Sequence, residues 1–216
     1  YWNKGFENAP KVVKVSYNSV VKHFQGWKIM ALSENNILNF IELPDYILEM
    51  HKKKIINEAH FSDLIRLALL NKYGGLWLDA TVYCSNYMVD DFLDVDFFSY
   101  SHKDQHDSSI SIGNWMMWSK KGDPYLVRLY DLLLEFWKKG KQPKDYFIFQ
   151  IFYSLIEETH KINRNVIFHS DLEAHSLSKI LHKEYNEKII NSIFLRSNFH
   201  KLSYKKEYIE CWYDLL

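Results

Sequence analysis

Apolar residues recur every three or four positions in some stretches of the chain and alternate or run together in others, which separates helices from strands. Residues 11–24 read as an amphipathic helix broken by Gly26, and residues 27–32 (Trp27-Lys28-Ile29-Met30-Ala31-Leu32) then alternate as a strand does. Ser33 or Asn35 is placed to cap a short helix over 36–41, and Pro44 opens another that reaches about residue 54. The pattern next predicts a strongly apolar helix over 58–72. Gly74 stops it, since glycine can take the left-handed conformation just beyond a helix end. An apolar strand over 76–82 follows.

Further along, residues 95–100 and 112–119 read as strands separated by a polar surface loop at 101–111. Pro124 opens an apolar helix over 125–137 that ends at Lys138-Lys139-Gly140, and 146–160 forms a second. A short strand at 166–168, a third helix over 172–190 and a mixed tail at 194–212 complete the pattern. Helices and strands alternate early and helices dominate later, which predicts an α/β fold with a mixed or mostly parallel sheet.

Composition narrows the class. At 216 residues the chain suits one large domain, or one domain with a small helical annex, and roughly 70% of the unfolded surface can be buried without disulfides or structural metals. Lysine and arginine total 27 and the acids total 27, so there is no basic excess of the kind that marks a nucleic-acid partner. Cys84 and Cys211 lie far apart without zinc-ligand spacing and read as free thiols in a reducing compartment. No apolar run reaches about 18 residues and no signal-peptide pattern opens the sequence, although it begins at Tyr1 rather than a methionine. The expected location is cytoplasmic.

The chemistry concentrates in His60-Phe61-Ser62-Asp63-Leu64-Ile65-Arg66 and Tyr73-Gly74-Gly75-Leu76-Trp77-Leu78-Asp79-Ala80-Thr81. Asp63 and Arg66 are spaced i, i+3 and share a helix face. Neither charge belongs in an apolar helix without a partner, so they either pair with each other or reach sugar hydroxyls and phosphate in a cleft. Gly74 and Gly75 make a turn or allow a ligand close to the backbone. Asp79 ends an apolar strand, where open α/β sheets bind ligands. A carboxylate there can hold a divalent metal that neutralises a diphosphate as a glycosidic bond breaks.

The string Phe-Ser-Asp-x-x-Arg-x-x-x-Leu-x-x-Tyr-Gly-Gly-x-Trp-x-Asp-x-Thr resembles the donor-site signature of glycosyltransferase family 32. Within that group it is most similar to the bacterial capsular polysaccharide synthesis glycosyltransferases. Looser echoes lie at Trp2-Asn3-Lys4-Gly5 with Ala9-Pro10, at Asp145-Tyr146-Phe147 and at His200-Lys201-Leu202. The resemblance implies a GT-A-like nucleotide-diphospho-sugar transferase fold with additional helices, as one domain over 1–216. Its donor-binding part would span about 1–120 and a helical acceptor-side part about 121–216.

It further implies a metal-dependent, retaining hexosyltransferase that takes a nucleoside-diphosphate sugar, UDP-sugar first, with Mn2+ as the metal and Mg2+ as the alternative. The acceptor would be a growing polysaccharide or lipid-linked oligosaccharide. By analogy Trp2 stacks on the base, Asp63 and Arg66 hold the donor sugar, and Asp79 binds the metal. Gly74, Gly75 and Thr81 line the donor site. The family's usual Asp-x-Asp is here Asp79-Ala80-Thr81, so one carboxylate is replaced by a hydroxyl. His200 is the first candidate to complete the coordination, and Lys201 faces the diphosphate. Asn114, Asp145 and Gln150 are placed on the acceptor side.

Other constellations weigh less. His169-Ser170-Asp171-Leu172-Glu173-Ala174-His175 holds four potential metal ligands, but Ser170 with Glu173 fits a capping box. His102 and His106, with Asp104 and Asp107, fall in the polar loop and read as solvated. Lys138, Lys139, Lys141 and Lys144 read as a solvated helix end, or as a peripheral contact with anionic headgroups on the inner face of a membrane. Trp115-Met116-Met117-Trp118 reads as a core strand. Two competing functions remain. A haloacid-dehalogenase-like phosphatase also uses Asp at a strand end, but needs a second Asp where Thr81 stands. A non-catalytic sugar-nucleotide-binding relic is the other.

Overall fold

The structure, a computed structural model, describes residues 1–87, 90–101, 111–140 and 142–216. His102, Asp104, His106, Asp107 and Lys141 lie outside the described residues. Its helices are α1 (Lys11–His23), α2 (Asp45–Lys52), α3 (Glu58–Tyr73), α4 (Asp90–Leu93), α5 (Pro124–Lys138), α6 (Ile148–Thr159), α7 (Glu187–Phe194) and α8 (Cys211–Leu215). Its strands are β1 (Gly75–Leu78), β2 (Val82–Cys84), β3 (Phe97–Ser101), β4 (Ile112–Ser119), β5 (Val166–Ser170) and β6 (Phe199–Lys201). The architecture is mixed α/β with a mixed sheet, consistent with a GT-A-like glycosyltransferase fold. The chain divides into two compact units: Tyr1–Asn35 with Leu78–Asp91 and Asp171–Leu216, and Asn36–Trp77 with Phe92–Ser170. It passes from one to the other between Trp77 and Leu78.

The unit around α3 holds the larger sheet, in the order β1-β4-β3-β5. β3 pairs antiparallel with β4 and parallel with β5, and all five residues of β3 are buried. α5 packs against α3 and α6, and α3 and α6 both lie on β4. Fully buried Phe97, Phe98, Phe149, Tyr153 and Trp137 dominate this core. Each contributes about 1.5–3 kcal/mol of burial. α3 is buried on nearly every side from His60 to Leu70, which explains why its sequence lacks a clean polar face.

Local signals set the ends of these helices. The Asn57 side chain accepts from the His60 amide at 3.0 Å and opens α3. Asp123 accepts from the amides of Tyr125 and Leu126 at 3.0 and 3.1 Å and opens α5, with Pro124 in the first turn. Gly74 closes α3 at φ 69°. A Cβ at Gly74 would lie 2.6 Å from the Lys121 amide nitrogen and 2.9 Å from the Ser119 carbonyl oxygen. Gly74→Ala is therefore expected to cost about 2 kcal/mol or more, read as a lower Tm in thermal melts. Gly75→Ala meets open space and carries only the backbone strain of φ 97°, so its Tm should fall less.

In the other unit, β2 and β6 form an antiparallel pair with Val82 opposite Lys201 and Tyr83 opposite His200. α1, α7 and α8 surround a core of Val12, Val13, Leu177, Ile193 and Trp212.

Three sequence expectations are corrected. Residues 27–32 form no strand, because alternation makes a strand only where a ladder partner exists. The strand expected over 76–82 is two strands: β1 ends at Leu78, a turn closes with the Val82 amide on the Asp79 carbonyl at 2.9 Å, and β2 joins a different sheet. The helix expected over 172–190 is a run of turns, a 3-10 helix at Leu177–Lys179, and α7 starting only at Glu187. Ser178 Oγ donates to the His175 carbonyl at 3.1 Å, the kind of side-chain bond that competes with helical pairing. Ser170 ends β5 instead of capping a helix, and His175 Nε2 sits 3.2 Å from Asp171 Oδ2. β6, which lies in the mixed tail, was not foreseen.

Among the described residues no helix is long and apolar enough to cross a membrane. Cys84 and Cys211 are both free, and burial pushes the Cys84 thiol well above its ordinary range.

Candidate functional site

Two hydrogen-bonded clusters of charged side chains hold several of the expected site residues, one in each unit. The first sits on the inner stretch of α3. Asp63 Oδ1 accepts from Arg66 Nη1 and from Asn114 Nδ2 of β4, the latter at 2.8 Å. The intrahelical ion pair that the spacing allowed is thus present, and β4 adds a third member. Arg66 is 3% exposed, with its guanidinium 4.9 Å from the Trp77 ring and 5.7 Å from that of Phe149. Aromatic faces can hold a desolvated guanidinium in this way. His60 Nδ1 stands 3.7 Å from Asp63 Oδ2, beyond hydrogen-bond reach. Its ring packs near Trp137 and Tyr146. His60 has no role assigned from the sequence, although its i, i+3 spacing to Asp63 puts it on the same face.

The second cluster lies where the chain leaves β1. Lys201 of β6 directs Nζ to Asp79 Oδ2 at 2.6 Å and to Thr81 Oγ1 at 3.1 Å. The Asp79 and Lys201 side chains are 25% and 22% exposed, so both are partly open to solvent. The backbone beneath them is fixed: the Lys201 amide donates to the Ala174 carbonyl at 2.8 Å and the Leu202 amide to that of Thr81 at 2.9 Å.

His200 faces the opposite side of this strand pair from Lys201, as alternation along a strand requires. It is fully buried, with Nε2 2.9 Å from Ser85 Oγ and its ring near Phe194 and Tyr83. Burial holds its pKa down to about 4, against an opposing backbone hydrogen bond at Ser197. The imidazole is therefore neutral in the fold and protonates in the unfolded chain near its ordinary 6.5. Unfolded chains bind more protons between those two values, so stability should fall as pH drops from about 7 to 4, by roughly 3 kcal/mol in all. Thermal melts across that range should show a flatter pH dependence for His200→Phe than for the wild-type chain.

Trp2 is half-buried, with its ring edge-on to Tyr204 at 5.1 Å and its amide on the Leu32 carbonyl at 2.9 Å. Gly74 links α3 to β1, and Gly75 is the first residue of β1. Asp145 is exposed, and its Oδ1 accepts from the Phe147 amide at 2.8 Å just before α6. Gln150 is buried on α6.

No group of three or more His, Cys, Asp or Glu able to hold a metal occurs among the described residues. Asp79, with Thr81, would be the residues to hold Mn2+ or Mg2+, since the Asp79 carboxylate is partly open to solvent. Mg2+ characteristically takes one or two protein carboxylates and fills its other positions with phosphate oxygens and waters. A dedicated all-protein cage would not leave those positions open.

Residues 1–213 match the family described as capsular polysaccharide synthesis protein. The chain belongs to that family. Two curated relatives add to the match. An uncharacterized glycosyltransferase of Acanthamoeba polyphaga mimivirus is 30% identical over 105 residues, covering 47% of this chain and 41% of that protein. The O-glycosyltransferase PaGT of Phomopsis amygdali is 27% identical over 158 residues, covering 63% of this chain and 37% of that protein. The chain thus spans about two fifths of the length of these relatives. Membership of the capsular polysaccharide synthesis family and both relatives' names support a glycosyltransferase.

Proposed function

We propose that the chain is a metal-dependent, retaining glycosyltransferase of the family 32 type. It moves a sugar from a nucleoside diphosphate, UDP first, to a growing polysaccharide or lipid-linked oligosaccharide. The observation that carries this reading is the partly exposed Asp79 carboxylate, one residue beyond β1, with the Lys201 ammonium 2.6 Å away. A divalent cation bound by Asp79 supplies charge neutralisation for the diphosphate. Lys201 contributes a second positive charge to that leaving group. Asp63, held by Arg66 and Asn114, accepts hydrogen bonds from donor-sugar hydroxyls, and its fixed geometry limits which hydroxyl arrangement binds. Trp2 offers an aromatic ring to the base, and Asp145 and Gln150 are assigned to the acceptor side.

The reading places the protein in the cytoplasm. Lys138, Lys139 and Lys144 would make peripheral contact with anionic headgroups that carry the acceptor. His200 is neutral and enclosed, so it supports the β2–β6 pair in this scheme and leaves coordination to Asp79.

Thr81 stands where the phosphatase needs a carboxylate, which weighs against that reading. A non-catalytic sugar-nucleotide binder keeps one specific observation in its favour, the single carboxylate at 79. Incubation with a panel of nucleoside-diphosphate sugars and Mn2+ separates the three. A transferase releases nucleoside diphosphate slowly without acceptor, a relic gives a thermal shift without turnover, and a phosphatase responds to none of these donors.

A further inference from the structure

We propose that Lys201 is an exchangeable counter-ion. In the free protein it occupies the Asp79 carboxylate, and it is released to the donor's diphosphate when a divalent cation takes that carboxylate. The inference rests on the reading of Asp79 as the cation's ligand and adds a coupling between cation and nucleotide binding.

The geometry supplies each part. Lys201 Nζ spends one donor on Asp79 Oδ2 at 2.6 Å and a second on Thr81 Oγ1 at 3.1 Å. No third protein partner of the ammonium occurs among the described residues. The strand that carries it is pinned, with Lys201 opposite Val82 and its amide on the Ala174 carbonyl. Only the flexible four-carbon stem has to move, which lysine does readily and a rigid guanidinium does not. Both side chains remain partly open to solvent, so a cation and a phosphate have access to the pair.

A divalent cation at the same carboxylate would stand a few ångströms from the ammonium, and the two like charges would repel. Cation alone therefore binds against Lys201. A nucleoside diphosphate removes the conflict, because its oxygens accept the ammonium and ligate the cation together. Each ligand then raises the other's affinity by the same factor, as linkage requires.

The test is calorimetric titration of the chain with MnCl2, and then with uridine diphosphate in the presence of Mn2+. Lys201→Met removes the competing charge at similar length. It should bind Mn2+ alone about three- to tenfold more tightly than the wild-type chain. The same variant should bind uridine diphosphate with Mn2+ about tenfold more weakly. Lys201→Arg keeps the ion pair and should keep the weak binding of Mn2+ alone. Far-UV circular dichroism checks the fold, and Lys201→Gln replaces the methionine variant if that one does not fold. Unchanged or weaker Mn2+ affinity in a folded, neutral variant overturns the exchange and leaves Asp79 as ligand. Absence of Mn2+ binding in every form with uridine diphosphate present, or Asp79→Asn binding Mn2+ like the wild-type chain, overturns the metal reading itself and the exchange with it.

Discussion

Asp79→Asn is expected to lower release of nucleoside diphosphate from a donor sugar by at least about a hundredfold, with the melting temperature nearly unchanged. Asparagine preserves the shape of the side chain and removes its charge. The amide is a poor ligand for a hard divalent cation, so on the proposed reading the diphosphate would lose its principal counter-charge. Loss of one such electrostatic contribution in a preorganised site typically costs two to three orders of magnitude in kcat. The stability cost should be small, since the side chain is 25% exposed and its partner Lys201 is 22% exposed. Ion pairs of that kind contribute about 0–1 kcal/mol. Single-turnover assays with Mn2+ beside thermal melts check both halves. Full activity in a folded Asp79→Asn chain would move the cation elsewhere.

Arg66→Ala should do the opposite and damage stability first. Arg66 is 3% exposed and Asp63 7% exposed, and the substitution leaves the carboxylate buried with the Asn114 amide still donating to it. Breaking a buried pair from one side costs about 3–5 kcal/mol. Loss of the guanidinium from between Trp77 and Phe149 adds lost packing. At about 2–4 °C per kcal/mol for a chain of this size, Tm should fall by roughly 6–20 °C. A paired Asp63→Leu, Arg66→Met replacement should recover most of that loss, because buried ion pairs are often no more stabilising than well-packed apolar side chains. The recovered double variant should still fail to turn over donor sugar. Restored stability together with activity would remove Asp63 and Arg66 from the site and leave them a structural role.

Much of the unit around α3 was legible in the sequence. The apolar run, the Gly74 stop, the Asp63 and Arg66 spacing, and the Pro124 start of α5 all act within one or two helical turns. The chain's own period therefore reveals them. Residues 172–190 misled for a related reason. Their apolar spacing is helical in part, but Ser176 and Ser178 sit where hydroxyls bond to nearby carbonyls and favour turns. Residues 27–32 alternate like a strand yet have no ladder to join, and a strand cannot be read without its partner.

The site itself divides along the same line. Asp63, Arg66 and Asp79 were marked by their own local patterns as charges in apolar surroundings. Asn114 reaches Asp63 across 51 residues, and Lys201 reaches Asp79 across 122. No short-range pattern encodes either meeting. The family resemblance gave Lys201 a role, but its partner came only from the β2–β6 register.

By itself, the sequence determined an α/β chain with a long buried helix, a glycine turn and a lone carboxylate at a strand end. Those features follow from side-chain period, capping and backbone conformation, which act between neighbours. Tertiary structure decided that the strand breaks at Asp79, that His200 turns inward while Lys201 meets the carboxylate, and that each unit is assembled from separated stretches. Those outcomes depend on which distant surfaces bury each other, and burial is a property of the folded whole.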